Sequence, residues 1–175
     1  MRQLCAGALA ALCSLGSAAA QEGGYSGVSY VWGSYQEDGF PSADPQALAF
    51  RLGWQLHRNI AVEARAGFGV GDDTVTFRGA PVEVKLDHYF GVYGKGIAPL
   101  SEGFAVYGLV GLVGGKATAT GFGYSASSSD TGLSLGVGFD LALGRHWALS
   151  LEWTELFKDA DFTVRATSFG MLYRH

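Results

Sequence analysis

A strict alternation of apolar and polar residues is the feature that most constrains this chain. Between Leu133 and Leu143 every second residue is leucine, valine or phenylalanine, and the residues between them are serine, glycine, aspartate and alanine. A period of two over these eleven residues predicts a β-strand with one apolar face and one polar face. The same alternation runs through residues 48–56, 60–70 and 147–154.

Eight segments of this kind divide the chain after residue 20. The four less regular ones are residues 25–35, 82–98, 104–118 and 162–174. In residues 104–118 both parities are apolar or glycine, so the faces of that segment stay unassigned. An even number of segments, each close to the length that a tilted membrane-spanning strand needs, predicts a closed, eight-stranded, antiparallel up-and-down transmembrane β-barrel.

The connections between the segments alternate in length. Short turns lie at residues 57–59, 99–103 and 144–146, and longer polar stretches lie at residues 36–45, 71–81, 119–130 and 155–161. Short inner turns and long outer loops are typical of outer-membrane barrels. No apolar stretch after residue 20 approaches the roughly 20 residues that a membrane-spanning helix needs, and a closed barrel is the other structure that pairs every backbone polar group in lipid.

The first 20 residues have the order of a secretory signal. Arg2 precedes an apolar run, and the run ends in Ser17 and three alanines. We therefore expect residues 1–20 to be a signal peptide that is cleaved after Ala20, and residues 21–175 to be the barrel. Loss of Arg2 changes the net charge from −4 to −5, which argues against a nucleic-acid partner.

The charged residues of the strands are interpreted as lying on the polar parity. A charge on the lipid face costs roughly 2–4 kcal/mol at the middle of the bilayer, so we expect these side chains to point into the lumen. An eight-stranded barrel is just wide enough inside for side chains to fill it. The sequence therefore predicts a closed lumen with a balanced charge network formed by Arg51, Glu63, Arg65, Glu83, Lys85, Asp87, Lys95, Asp140, Glu152 and Arg165.

Aromatic residues lie at the ends of the predicted strands. Trp32 and Trp153 are near the outer ends, and Trp54 and Trp147 flank the inner turns. These are the positions of aromatic girdles, where amphipathic rings meet the lipid headgroups. We expect Tyr173 to join the inner girdle.

Two stretches and the last residues of the chain resemble a known family. Residues 84–95 are VKLDHYFGVYGK, residues 99–111 are PLSEGFAVYGLVG, and the chain ends in SFGMLYRH. They resemble the small outer-membrane β-barrel proteins, which include porin-like and opacity-type proteins and the membrane domain of outer membrane protein A. The resemblance implies a bacterial outer-membrane location, contact with outer-membrane lipid and lipopolysaccharide, and insertion by the barrel-assembly machinery.

In the resembled family the last strand closes the barrel, and its terminal aromatic residue helps the assembly machinery to recognise the chain. The alternation of the last segment predicts that its outward face is formed by Phe169, Met171, Tyr173 and His175, one parity that runs to the end of the sequence. The family usually ends in phenylalanine or tryptophan, whereas this chain ends in His175, whose ring can also carry a charge.

Three functions stay open from the sequence, and no catalytic, cofactor or metal site is predicted. We expect a non-enzymatic structural or surface-contact role through the outer loops, with residues 121–130 as the contact region for an unknown ligand. A narrow gated pore is the alternative. A lipid A deacylase-like enzyme is a second alternative. It is disfavoured because the signature of such enzymes is a serine two residues after a histidine, which no histidine here has.

Overall fold

The structure is a computed structural model and describes residues 23–37, 44–71, 73–77, 80–121, 124–158 and 162–175. The signal peptide expected at residues 1–20 lies outside them. The strands are β1 Gly24–Glu37, β2 Gln46–His57, β3 Ile60–Gly71, β4 Asp73–Phe77, β5 Ala80–Pro99, β6 Phe104–Gly121, β7 Tyr124–Ala142, β8 Trp147–Lys158 and β9 Phe162–Arg174. No helix in the described part of the chain is long and apolar enough to cross a membrane.

The strands close into a barrel in which every neighbouring pair is antiparallel. The order is β3-β2-β1-β9-β8-β7-β6-β5, and pairing of β3 with β5 closes the ring. Strand β4 follows β3 in the chain and pairs with the same strand, β5, beyond the point where β3 ends. Asp73 pairs with Val84, and Phe77 pairs with Ala80. Because β3 and β4 together occupy one position in the ring, the nine described strands form a barrel of eight positions. This confirms the predicted eight-stranded antiparallel barrel.

The apolar face of each strand lies on the outside of the barrel. On β2, Leu52 and Leu56 are 52% and 51% exposed, whereas Ala49 and Arg51 are each 2% exposed. This arrangement is the reverse of that in a protein dissolved in water, where apolar side chains are buried because their contact with water is unfavourable. The outside of the barrel is thus suited to an apolar solvent.

The structure also assigns the faces of residues 104–118. Tyr107, Leu109 and Val113 point inward and are buried, while Val110 and Leu112 point outward. Both parities are apolar because this part of the lumen is packed with large apolar and aromatic side chains. Glycines make room for them: a Cβ on Gly138 would collide with the Tyr107 ring.

Strands β5, β6 and β7 are longer than the others. They have 20, 18 and 19 residues, against 12 to 14 for β1, β2, β3, β8 and β9. The polar stretches at residues 71–81 and 119–130, expected to be loops, are instead β-hairpins that remain paired up to Phe77↔Ala80 and Gly121↔Tyr124. We call residues 73–77, 80–88, 114–121 and 124–134 the outer sheet, and the opposite end, where the short turns lie, the inner end.

Candidate functional site

The centre of the lumen holds a ring of four charged side chains. Arg51 comes from β2, Glu63 and Arg65 from β3, and Glu152 from β8, and all four are buried. Arg51 Nε lies 3.0 Å from Glu63 Oε1, and Arg51 Nη2 lies 3.3 Å from Glu152 Oε2. Arg65 Nε lies 2.5 Å from Glu63 Oε1, and Arg65 Nη2 lies 2.8 Å from Glu152 Oε2. Each guanidinium therefore contacts both carboxylates, and the ring is electrically neutral.

Neutral hydroxyl groups complete the hydrogen bonding of this central ring. Tyr25 donates to Glu63 Oε2 at 2.5 Å, and Tyr107 donates to Glu152 Oε2 at 3.0 Å. Arg51 Nη1 donates to Ser150 Oγ at 3.3 Å. Buried charges are tolerated only when ion pairing and additional hydrogen bonds replace water, and these contacts provide that replacement.

A second ion pair lies closer to the inner end. Lys95 Nζ is 3.0 Å from Asp140 Oδ2 and lies 3.5 Å from the centroid of the Tyr107 ring. The Tyr25 ring centroid is 5.6 Å from the same ammonium group. A carboxylate and two aromatic faces therefore surround the Lys95 charge, an arrangement that stabilises a cation away from water.

Apolar layers lie above and below the charged layers. The layer toward the outer sheet consists of Val31, Ala47, Ala49, Tyr89, Val113 and Ala166, with Leu86 packed against it. The layer toward the inner end consists of Tyr25, Ala61, Ala148 and Leu172, with Ile97 packed against it. Charged and apolar side chains thus occupy the barrel interior in successive layers, with apolar side chains at both ends.

The structure places six of the ten predicted network residues in this interior: Arg51, Glu63, Arg65, Lys95, Asp140 and Glu152. The prediction is wrong for three residues of β5. The pairing of β5 with β6 shifts between Leu86 and His88, so Asp87 is an extra residue in a β-bulge. A one-residue shift moves the residues beyond it to the opposite face. Leu86 consequently packs inward, Glu83 and Lys85 are exposed, and Asp87 accepts a hydrogen bond from Thr118 Oγ1 at 2.8 Å.

The prediction is also wrong for Arg165. Its side chain is 49% exposed on the outside of the barrel, and its Nε lies 3.7 Å from Glu155 Oε2. Arg165 shares the parity of Phe169 and Met171, which are likewise exposed. The sequence therefore contained the signal that places Arg165 outside.

The aromatic residues predicted to form girdles all lie on the outside of the barrel. Trp32 of β1 (Gly24–Glu37) and Trp153 of β8 (Trp147–Lys158) lie just beyond the middle of their strands toward the outer side rather than at the strand ends, and both pair with Thr167 of β9. At the inner end, the Tyr173 ring centroid lies 4.9 Å from that of Trp147 and 5.3 Å from that of His175. The His146 ring also stacks on Tyr173 at 5.6 Å, so two histidines extend the inner aromatic cluster, which the sequence interpretation had limited to tryptophan and tyrosine.

Strand β9 closes the barrel against β1. The two strands pair from Tyr25↔Arg174 to Glu37↔Phe162. The His175 backbone N–H donates to the Gly24 carbonyl at 2.9 Å, and the His175 ring nitrogen Nε2 lies 3.2 Å from Ser26 Oγ. The last residue is thus held by both its backbone and its ring.

Comparison with known proteins places this architecture in a family. The family model for the outer membrane protein beta-barrel domain matches residues 5–174. No curated protein matches the chain in sequence. The solved structure of Ail, the attachment invasion locus protein of Yersinia pestis, has a TM-score of 0.66 and 21% identity, covering 89% of this chain and 100% of that chain.

Two further structures share the fold. Ail in complex with the heparin analogue sucrose octasulfate has a TM-score of 0.64 and 21% identity, with 89% of this chain and 100% of that chain covered. Neisserial surface protein A has a TM-score of 0.62 and 12% identity, with 87% of this chain and 96% of that chain covered. The family model and the barrel with its apolar exterior agree: the chain belongs to the outer-membrane β-barrel family and is an integral protein of the bacterial outer membrane.

Proposed function

We propose that this chain is a non-enzymatic surface-contact protein whose lumen is closed and whose outer sheet is the contact region. The observation that carries the proposal is the unequal strand length. The 18 to 20 residues of β5, β6 and β7 exceed the roughly 10 residues that a tilted strand needs to cross the membrane. The surplus lies on the outer side of the barrel.

The edge of the lipid-facing band can be located on these three strands. Phe90, Leu112 and Leu133 are exposed apolar residues on the outward face. Further outward on that face, one step beyond Phe90 and two steps beyond Leu112 and Leu133, are His88, Lys116 and Ser129, which pair in one row across the three strands. Beyond Leu133, β7 continues to Tyr124, a length of about 30 Å along the strand at about 3.3 Å per residue.

The projecting part of β7 is open to solvent on both faces. Residues 127–131 are Ser-Ser-Ser-Asp-Thr, and all five are exposed. Paired strands whose two faces are both exposed to water form a regular polar surface rather than part of a core. Such a surface, held at a fixed position by the barrel, is suited to contact with molecules outside the cell.

A narrow gated conduit is the second candidate. The observation in its favour is that each arginine of the central ring contacts both glutamates, so an exchange of partners needs only small movements. Against it stand the two apolar layers at the ends of the charged region, because an ion crossing them would lose hydration without gaining a partner.

The similarity to Ail suggests a first probe and the proposed partners. Because Ail has been solved with a heparin analogue, we choose sulfated polysaccharide as the first surface to test. Lipopolysaccharide would surround the outer end of the barrel, and the barrel-assembly machinery would recognise β9. These partners are part of the proposal.

The experiment replaces residues 116–129 with Asn-Gly. Gly115 and Asp130 pair across β6 and β7, and the Ala142 N–H bond to the β6 side makes the even-numbered residues of β7 the ones that hydrogen-bond to β6. A two-residue type I′ turn can therefore join Gly115 to Asp130 and leave the membrane-spanning part intact. We expect bacteria displaying the wild-type protein to adhere to heparin-coated or epithelial surfaces, and the shortened variant to lose at least tenfold in adherent cells. Equal amounts of each protein in outer-membrane fractions provide the control. Wild-type adherence no higher than that of cells without the protein, or full adherence of the shortened variant, would overturn the proposal.

A further inference from the structure

The inner end of the barrel carries three exposed arginines outside any ion pair. Arg58 lies in the turn between β2 and β3, Arg145 lies in the turn between β7 and β8, and Arg174 is the last residue of β9. Within the described ranges, the ion pairs are formed by other residues, and none of these three guanidinium groups takes part in one. Glu102, in the turn between β5 and β6, is the exposed acidic side chain described at this end.

The three arginines form an arc because the strand order places their segments side by side. In the order β3-β2-β1-β9-β8-β7, the turn of Arg58 is followed by the pair β1–β9, which carries Arg174, and then by the turn of Arg145. The turn of Glu102 joins β5 to β6 and lies across the ring from the pair β1–β9. We call Arg58, Arg145 and Arg174 the inner arc.

The backbone that carries the inner arc is held in place by short-range contacts. The Arg174 N–H donates to the His146 carbonyl at 2.7 Å, and Gln55 Nε2 donates to the Arg58 carbonyl at 3.3 Å. Gly144 has a φ of 101°, the left-handed conformation that a glycine adopts without strain, and it forms the tight turn before Arg145. The three guanidinium groups therefore extend from fixed points on the rim of the barrel.

Aromatic rings lie next to the inner arc on the outside of the barrel. Beside the cluster around Tyr173, a Cβ on Gly24 would meet the His175 ring at 3.8 Å and the Trp54 ring at 4.0 Å. The rings of His175 and Trp54 thus lie on either side of Gly24, and the aromatic belt continues from Trp147 on β8 to β2. Amphipathic rings at the edge of a membrane lie at the level of the lipid headgroups, so the inner arc lies at that level too.

Basic side chains toward the outer end differ because acidic side chains accompany them. Arg165 Nε lies 3.7 Å from Glu155 Oε2. On β5, Glu83 and Lys85 are two residues apart, and both are exposed. These positive charges are offset locally, whereas those of the inner arc are not.

We propose that the inner arc and its aromatic belt bind anionic phospholipids of the inner leaflet. A guanidinium group can donate two parallel hydrogen bonds to a phosphate, and the exposed side chains of Leu143 and Met171 offer an apolar surface to the acyl chains. Each arginine near an anionic membrane surface favours binding by about fivefold. This inference goes beyond the proposed surface-contact function, which concerns the opposite end of the molecule.

The test measures lipid binding separately at the two ends through tryptophan fluorescence, which brominated lipids quench on contact. Trp32→Phe with Trp153→Phe leaves the inner reporters Trp54 and Trp147, and the converse pair of substitutions leaves the two outer reporters. Each protein is reconstituted in phosphatidylcholine bilayers that contain a small fraction of brominated phosphatidylglycerol or brominated phosphatidylcholine. We expect phosphatidylglycerol to bind at least fivefold more strongly than phosphatidylcholine at the inner reporters and less than twofold more strongly at the outer reporters.

Two triple variants, made with the inner reporters, isolate the contribution of the arginines. The first removes the inner arc by Arg58→Gln, Arg145→Gln and Arg174→Gln. The second is a matched control that removes three positive charges toward the outer end by Lys85→Gln, Lys116→Gln and Arg165→Gln. We expect the first variant to reduce the preference for phosphatidylglycerol to less than twofold and the control to keep it at fivefold or more. If the first variant fails to fold, as shown by its electrophoretic mobility without heating, the comparison of inner and outer reporters decides.

Three results would overturn the inference. The first is an equal preference for phosphatidylglycerol at the inner and outer reporters. The second is an unchanged preference in the folded variant that lacks the inner arc. The third is no lipid preference at the inner reporters, together with sedimentation of the wild-type protein with purified peptidoglycan that the same variant loses, which would make the cell wall the partner of the inner arc.

Discussion

Replacing Arg65 with methionine tests the central charge ring. Arg65 makes three charge-assisted bonds, one to Glu63 and two to Glu152. At roughly 1.5–3 kcal/mol for each bond to a charged group, their simple sum would reach several kcal/mol. Arg51 continues to contact both glutamates, however, so the remaining ring carries one uncompensated negative charge rather than two. We therefore expect a loss of about 3–5 kcal/mol, as for other broken buried pairs.

Two matched variants separate the ion pair from the loss of packing. Arg65→Met combined with Glu152→Gln restores neutrality in the ring and should be less destabilised than Arg65→Met alone by at least about 1 kcal/mol, since a buried pair removed together leaves no isolated charge. Arg165→Met removes the same side chain from an exposed pair. It should change stability by less than about 1 kcal/mol, because surface ion pairs contribute little.

The measurement is equilibrium unfolding by urea in lipid bilayers, followed by the fluorescence of the tryptophans on the outside of the barrel. Reversibility has to hold for each variant, because the free energy of unfolding is defined only for a reversible transition. The reasoning is refuted if Arg65→Met and Arg165→Met have the same stability. It is also refuted if the free energy of unfolding of the double variant falls by the full sum of the losses measured for Arg65→Met and Glu152→Gln separately.

Four other outcomes are expected. Unheated protein should migrate differently from boiled protein in gel electrophoresis, because a closed barrel resists detergent until heated; identical mobility would contradict a closed barrel. In planar bilayers the wild-type protein should show no steady conductance, whereas Arg65→Ala should either admit ions or lower stability; large, stable wild-type channels would contradict the filled lumen. Deletion of residues 173–175 should leave mostly unassembled, protease-sensitive protein, since Tyr173 pairs with both Ser26 and Trp147; wild-type assembly would contradict this role of β9. Finally, His175→Phe should leave the fold unchanged and raise the yield of inserted protein in cells, and a lower yield would contradict it.

The sequence predicts the membrane-spanning part of the fold because the two sides of each strand lie in different solvents. On β2 and β3, lipid on one side and a charged lumen on the other require opposite residue types, and the period of two is therefore clear. Beyond the membrane this contrast disappears. Residues 127–131 are exposed on both faces, so no alternation marks them as a strand, and the sequence interpretation placed a loop there.

The alternation also identifies which charges can enter the lumen, but not which of them meet. Glu152 and Arg65 are 87 residues apart and lie on strands from different parts of the barrel. Their contact depends on the stagger between strands, which no local pattern encodes. The same limit applies to Tyr25 and Tyr107, whose hydroxyl groups complete the ring. Their residue type predicts apolar packing, yet each hydroxyl group donates a hydrogen bond to a buried carboxylate.

The bulge at Asp87 shows how one residue adapts β5 to two environments. Inside the barrel, the odd-numbered residues Tyr89, Tyr93 and Lys95 face the lumen. If that parity continued outward, Lys85 would point over the apolar layer that contains Tyr89, where no carboxylate of the central ring could pair with it, and a buried unpaired charge is strongly destabilising. The extra residue places Leu86 on that layer instead and turns Lys85 to solvent. The bulge therefore lies where the strand changes from lining a closed lumen to forming an exposed sheet. Residue types alone do not indicate it, because an aspartate at position 87 is compatible with either face of the strand.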